Sequence, residues 1–452
     1  MIHKYKMHGS NMVVDVNSGS LFVFDDISFD ILDYYNEYSN EDIIKKLSDK
    51  YDKKDIEEAL NEIYELKSKG LLYSKDPYQN YVPSFETEPV VKALCLHISH
   101  DCNLRCKYCF ASTGNFGGDR TMMNKEVGFS AIDFLLKNSK GRKNLEVDFF
   151  GGEPMINFDV VKEIVAYGRQ KEKEYNKNFR FTITTNGLTL NEENIRYINE
   201  NMHNIVLSID GRKEVNDKMR VRIDGTGCYD DILPNYKKIA NMRGQDNYYV
   251  RGTFTSENLD FSEDVLHLAD EGFEQISVEP VVLKDGTGFE LKEEHLPKLF
   301  SEYEKLALEY VKRRRDGRWF NFFHFMIDLS QGPCVIKRIT GCGAGHEYLA
   351  ITPTGDIYPC HQFVGNDKFK MGNVKEGKVV NNNIQNYFRN SNIYTKDECK
   401  KCWAKFYCSG GCAANAYNFN EDINVPYKVG CELEKKRVEC ALWIKAQEMT
   451  GQ

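Results

Sequence analysis

The chain has 452 residues, 41% of them hydrophobic and 28% charged, with a formal net charge of −8. That length suits two or three domains of an ordinary globular protein. The acidic balance argues against nonspecific nucleic-acid binding, and no apolar run approaches the roughly 20 residues a membrane span needs.

The opening MIHKYKMHGSNMVVDV lacks the apolar core of a signal peptide, which implies a cytoplasmic location. Residues 1–75 read as a small separate module. MVVDVN and SLFVF run apolar around a turn carrying Asn17, Ser18 and Gly19, the pattern of a β-hairpin. Three helical stretches follow: ISFDILDYYNEY, NEDIIKKLSDKY and KKDIEEALNEIYELKSKG. Ser39 or Asn40 caps the second, Gly70 closes the third, and LLYS can return as a strand. A hairpin with three short helices resembles a winged helix-turn-helix. The three prolines of SKDPYQNYVPSFETEPV mark a linker over 76–91.

From residue 92 the pattern changes. KALCLHI, LEVDFF, FRFTITT, NIVLSID, YYVRGTF and QISVEP are strand-like, and amphipathic stretches such as FDVVKEIVAYGRQKEKEY lie between them. Six strands alternating with helices over 92–290 imply a parallel sheet with right-handed crossovers. An open or partial (β/α)6 TIM-like barrel fits this α/β pattern, with a doubly wound sheet as the structural alternative. In a barrel the chemistry belongs at the C-terminal ends of the strands. A long helix in the bridge 291–335 leads to a cysteine-rich region over 336–452.

Fourteen cysteines in a cytoplasmic chain are not expected to pair as disulfides. Cys95, Cys228 and Cys440 stand apart and read as small buried hydrophobes. Cys102, Cys106 and Cys109 follow the first strand with the spacing C-x3-C-x2-C. Three thiolates on a short loop can hold three irons of a 4Fe–4S cube, leaving the fourth iron open; a zinc site completed by His97 or His100 is the alternative. The later strands end in polar turns: Gly151-Gly152-Glu153-Pro154, Thr184-Thr185-Asn186-Gly187 and Ser208-Ile209-Asp210-Gly211. Each falls where a barrel places its site. Glycines admit close backbone approach, and a carboxylate such as Glu153 can accept from an ammonium.

Over roughly 92–285 these residues resemble the radical S-adenosylmethionine (SAM) superfamily. The resemblance rests on Cys102, Cys106 and Cys109, on Tyr108 before the last cysteine, and on GGEP. It implies a partial barrel whose three cysteines hold a 4Fe–4S cluster, with SAM chelating the open iron. It further implies that Gly151, Gly152 and Glu153, followed by Pro154, line the methionyl amine, that Ser208, Asp210 and Arg220 contact ribose or carboxylate, and that Tyr108 and Phe110 lie near adenine. Thr184 and Asn186 carry over as further cofactor contacts. One electron then cleaves the sulfur–C5′ bond of SAM, and the 5′-deoxyadenosyl radical takes a hydrogen from the substrate; the protein positions the cofactor and excludes water.

Seven cysteines between 342 and 431 exceed one tetrahedral zinc site and fall one short of two. LAITPTGDIYPC reads as a hairpin delivering Cys360. The order Cys342, Cys360, Cys399, Cys402, Cys408, Cys412, Cys431 resembles the SPASM extension of radical SAM enzymes. That resemblance implies two auxiliary 4Fe–4S clusters, three clusters in all. Cys399, Cys402, Cys408 and Cys431 would hold one; Cys342, Cys360 and Cys412 would hold the other. Cys334, eight residues before Cys342, is the candidate fourth ligand of the latter. Without it that cluster has an open iron, which could bind a substrate thiol as thiolate and predicts carbon–sulfur bond formation.

The third helix of the N-terminal module carries five acidic residues, poor for a major groove. The alternative is capture of a peptide strand on the exposed hairpin edge. Module, barrel and cysteine-rich end together resemble the sactipeptide maturases, those of six-cysteine (SCIFF) peptides among them. The implied partners are the leader of a cysteine-rich precursor peptide and a small electron donor such as ferredoxin or flavodoxin, with no nucleic acid and no membrane. The competing readings are a SPASM protein that oxidises a protein side chain, as sulfatase-maturing enzymes do, and a zinc-bearing winged-helix regulator.

Overall fold

The computed structural model describes residues 1–79, 89–284, 286–329 and 335–450. Most of the expected linker, and Cys334, lie outside these residues. The chain opens with three antiparallel strands, β1 (Ile2–Met7), β2 (Ser10–Asp15) and β3 (Leu21–Phe24), in that order across the sheet. The hairpin β2–β3 turns where expected, because the Asp15 carboxylate accepts from the backbone N–H of Asn17 at 3.2 Å and of Ser18 at 2.9 Å. β1 is a strand the sequence reading passes over, since lysine and histidine interrupt its apolar positions. Its signal is the two-residue turn His8–Gly9, with both residues at positive φ (46° and 80°), as a tight hairpin requires. LLYS forms no strand; Leu72 fills the module's core instead.

Helices Asp26–Ile31, Asn40–Leu47 and Lys53–Ser68 follow. Ser39 caps the second, its hydroxyl accepting from Asp42 N at 3.2 Å. Phe29, Ile43, Ile56, Leu60 and Ile63 meet Val13 of β2 in one core. On the other face of β2, Val14 packs against Val438 and Leu442 of the C-terminal helix Lys428–Thr450. MVVD runs apolar without alternation because both faces of this strand are covered. The module expected to be separate is therefore docked. His3 stacks on Trp403 at 3.7 Å between ring centroids, and Lys405 pairs with Asp76 at 2.8 Å.

The second sheet contains β4 (Ala93–Ser99), β5 (Asn144–Gly151), β6 (Asn178–Thr185), β7 (Asn204–Ser208), β8 (Tyr248–Phe254), β9 (Gln275–Pro280), β10 (Asn321–Phe322), β11 (Tyr348–Ile351), β12 (Asp356–Tyr358) and β13 (Gly372–Asn373). Its order is β10-β9-β8-β7-β6-β5-β4-β11-β12-β13. All six expected strands are present and parallel. Each neighbours its predecessor, which is the order of an open barrel; a doubly wound sheet would reverse at a switch point. The fold is α/β, a partial TIM-like barrel. Two helices stand between β7 and β8, Lys213–Met219 and Tyr229–Met242. The long bridging helix is Leu296–Arg315.

Two short strands extend the barrel at its edges: β10 on β9 and β11 on β4, both parallel. The expected hairpin β11–β12 thus continues the barrel sheet into the cysteine-rich region. Alternation along the strands divides the faces. Leu145, Val147, Phe149, Phe179, Phe181 and Ile183 are fully or almost fully buried in the main core. Their alternates at the C-terminal strand ends, Phe150, Thr184, Ser208, Thr253 and Glu279, line a cavity. Among the described residues no helix is long and apolar enough to cross a membrane.

Candidate functional site

The cavity opens at the C-terminal ends of the barrel strands, as this architecture predicts. Cys102, Cys106 and Cys109 form one wall. Their loop is fixed from two sides. Arg105 N donates to Val221 O at 2.7 Å and Lys107 N to Met219 O at 3.0 Å, which clamps the loop to the segment carrying Arg220. Asn186 Nδ2 donates to Asn103 Oδ1 at 2.7 Å and stands 3.7 Å from Cys102 Sγ. Burial pushes the Cys102 thiol up to about 11 and Cys106 up to about 12, and the neighbouring thiols add to both shifts. Metal binding at these positions must therefore displace protons.

Gly151, Gly152, Glu153 and Pro154 all line the cavity. Protein backbone, rather than a ligand, dictates the two glycines. A Cβ on Gly151 would lie 2.3 Å from Ser99 O, and one on Gly152 would lie 2.2 Å from Asp101 O. Gly151 also sits at φ +126°, a conformation that favours glycine. The end of β5 is thus pressed onto the start of the cysteine loop, with Gly152 N donating to Ser99 O at 2.7 Å. We expect Gly152→Ala to cost roughly 2–4 kcal/mol and to lower metal uptake at Cys102, Cys106 and Cys109. Denaturant unfolding and metal analysis check this; unchanged stability would mean the loop yields freely.

Glu153 is 1% exposed. Its carboxylate accepts from Thr185 Oγ1 at 2.8 Å, Asn186 N at 2.7 Å and Met155 N at 3.1 Å. Burial nevertheless pushes it up to about 7 against these donors. An arriving ammonium would restore its charge. Thr184 and Ser208 line the cavity. Asn186 does too, though its side chain is engaged in holding the cysteine loop.

Asp210 departs from its expected role. It lies outside the cavity lining and is fully buried. Its carboxylate accepts from the Tyr108 hydroxyl at 2.7–2.8 Å and from Thr253 N at 3.1 Å. Arg220 donates to the Tyr108 hydroxyl at 2.8 Å. Asp210 therefore positions Tyr108 and Arg220, which reach the cavity themselves. Arg220 Nε is buried without a partner. Phe110 stacks on Phe150 at 6.5 Å and lies 5.6 Å from the His361 ring, forming an apolar wall.

Sequence reading missed Arg251, Glu279 and His361, all of which line the cavity. Arg251 donates to Glu279 at 2.7 Å; burial alone would raise the Glu279 carboxylate, but Arg251, His324 and Arg437 together hold it down at about 2. The signal was available: Arg251 and Glu279 share strand parity with Thr184 and Ser208, and Glu279 precedes Pro280 as Glu153 precedes Pro154.

Two of the seven C-terminal cysteines sense different neighbours. Burial raises the Cys360 thiol, and Cys412 and Cys342 raise it further. Burial likewise raises Cys408, with added pushes from Cys431, Cys399 and Cys402. Among the described residues no three of His, Cys, Asp or Glu converge on one ion; a cubane distributes its thiolates over separate corners and asks for a wider set.

The description Radical SAM superfamily matches residues 96–269, and SPASM, an iron-sulfur cluster-binding domain, matches 342–403. A cysteine-type anaerobic sulfatase-maturating enzyme of Clostridium novyi is 28% identical over 337 residues, 70% of this chain and 86% of that protein. The radical SAM cyclopropyl synthase TigE of Paramaledivibacter caminithermalis is 24% identical over 436 residues, 90% of this chain and 84% of that one. Among solved structures, native anSMEcpe with bound AdoMet and Cp18Cys peptide superposes with a TM-score of 0.64 at 21% identity, covering 80% of this chain and all of that one.

Proposed function

Because the chain belongs to the radical SAM superfamily and carries a SPASM iron–sulfur domain, we propose that it is a peptide maturase that joins cysteine sulfur to an acceptor α-carbon within a ribosomally made precursor. One observation carries this reading: a single cavity is lined both by Cys102, Cys106 and Cys109 and by His361, the residue that follows Cys360 of the C-terminal constellation.

The residues present fit SAM. Arg220 brings an unpartnered Nε–H for a carboxylate, Glu153 a buried carboxylate for an ammonium, and the three thiols a cluster with one open corner. When bound, cluster and SAM supply a 5′-deoxyadenosyl radical. The chain's own part is positioning. Asp210 and Tyr108 orient Arg220, Phe110 and Phe150 exclude water, and the Arg251–Glu279 pair presents fixed charges to the peptide. In this reading Cys342, Cys360 and Cys412 hold one auxiliary 4Fe–4S cluster, and Cys399, Cys402, Cys408 and Cys431 the other. The leader of a cysteine-rich precursor adds to the edge strand β3, where Val23 is exposed, and a ferredoxin or flavodoxin supplies electrons in the cytoplasm.

The test is mass spectrometry of peptides encoded beside the gene, incubated with reduced enzyme and SAM. A loss of about 2 Da per crosslink, two hydrogens removed by this radical chemistry, with a thiol that no longer alkylates, is the expected result. The sulfatase-maturating relative motivates a second reading, oxidation of a side chain. The same mass loss with every thiol still alkylating, or a cysteine whose sulfur is replaced by a carbonyl oxygen, would favour that reading and overturn the thioether.

A further inference from the structure

Two buried lysines lie beside the C-terminal cysteines, and their surroundings differ. Lys405, 5% exposed, pairs with Asp76 at 2.8 Å. Lys396, 3% exposed, makes no ion pair among the described residues. Its Nζ donates to Gly410 O at 2.8 Å, in the loop between Cys408 and Cys412. Lys396 also stands at the N-cap position of the short helix Asp397–Lys400, which carries Cys399. An ammonium taken from water without an anion is costly. Burial lowers the pKa of Lys396, and the groups that act against this are sulfur: Cys399, Cys408, Cys412 and Cys431. The acid that senses it, Asp422, is bonded instead to Tyr387 and Asn424.

We propose that Lys396 is the shared counter-ion of the two C-terminal cysteine sets, holding their thiols as metal-bound thiolates and raising the reduction potential of the iron–sulfur groups they carry. The inference rests on the cluster reading above. The Lys396 hydrogen bond to Gly410 O holds the ammonium against the loop that joins Cys408 of one set to Cys412 of the other. A positive charge there favours the reduced state of both groups, so both would be suited to accept the surplus electron that bond formation releases.

The experiment uses the full chain, reconstituted anaerobically with iron and sulfide, with Cys102, Cys106 and Cys109 changed to alanine so that the C-terminal groups alone report. Iron content and EPR-monitored midpoint potentials are measured for Lys396, Lys396→Met and Lys396→Arg. The expected result is a lower midpoint in Lys396→Met, largely restored in Lys396→Arg. Loss of iron in Lys396→Met but not in Lys396→Arg also supports the counter-ion. Full iron with an unshifted midpoint in Lys396→Met overturns it, as does equal loss of iron in both variants. A chain with Lys396 intact that takes up zinc and no iron fails the cluster reading itself, an outcome visible before any change at Lys396.

Discussion

Replacing Cys102, Cys106 and Cys109 together by alanine is expected to abolish 5′-deoxyadenosine formation and to lower bound iron by about 4 atoms per chain, one cubane. These thiols share one loop, and the cavity they line also holds Glu153 and Arg220, the groups that fit SAM. Among the described residues no other thiol stands ready to replace them: Cys95, Cys228 and Cys440 are buried in apolar cores, and the C-terminal sets are held on other elements. The loop itself should keep its shape, because its clamps are backbone bonds from Arg105 and Lys107 and the side chains of Asn186 and Asn103. The variant therefore folds, retains the auxiliary iron and fails at the first chemical step. Anaerobic chromatography of the SAM products and iron analysis read both effects. A variant that still cleaves SAM would remove the cluster from this loop.

Cys360→Ala has the opposite profile: SAM cleavage uncoupled from substrate persists, and peptide crosslinking falls to background. Cys360 begins the turn after β12, on a different element from the GGEP turn and Arg220, and its thiol senses Cys412 and Cys342. Removing its sulfur leaves the SAM-facing groups in place. It dismantles the set that reaches the cavity through His361, whose ring lies 5.1 Å from that of Phe150. If this set binds the substrate sulfur, the radical forms and finds no partner. Comparing deoxyadenosine yield with crosslinked peptide in one reaction separates the two steps. Normal crosslinking by Cys360→Ala would rule out ligation of the substrate thiol at this set.

The barrel was legible because period-2 strands alternate with long amphipathic helices, a pattern that FRFTITT and FDVVKEIVAYGRQKEKEY carry openly. What escaped notice was short or interrupted. β10 has two residues and β11 four, too few for any period to show. The helix Tyr229–Met242 contains Pro234, and β1 interleaves lysine with tyrosine. At the site, residue types were visible but their partners were not. GGEP marked a turn that lines the cavity, yet the reason for its glycines lies in Ser99 and Asp101, some 50 positions earlier in the chain. The carboxylate of Asp210 read as a ligand group, and only the fold shows Tyr108 and Thr253 claiming it. Contacts across the barrel are set by strand order, which no local pattern encodes.

The pairing of β11 with β4 has a consequence for how the molecule forms. Every residue of β4 is buried, and its ladder partners are β5 on one side and β11 on the other. Before the C-terminal third is synthesised, β4 must stand as a bare edge, with apolar side chains on both faces and unpaired backbone groups. Such an edge invites association with other chains. Long-range pairing of this kind is also slow to close. The two halves therefore cannot be treated as separable cassettes: the strand that launches the cysteine loop is completed only when the hairpin carrying the distant Cys360 arrives. Nascent barrels cut short of residue 348 should be the aggregation-prone species of this protein, and the whole sheet should protect its amides from exchange as one cooperative unit.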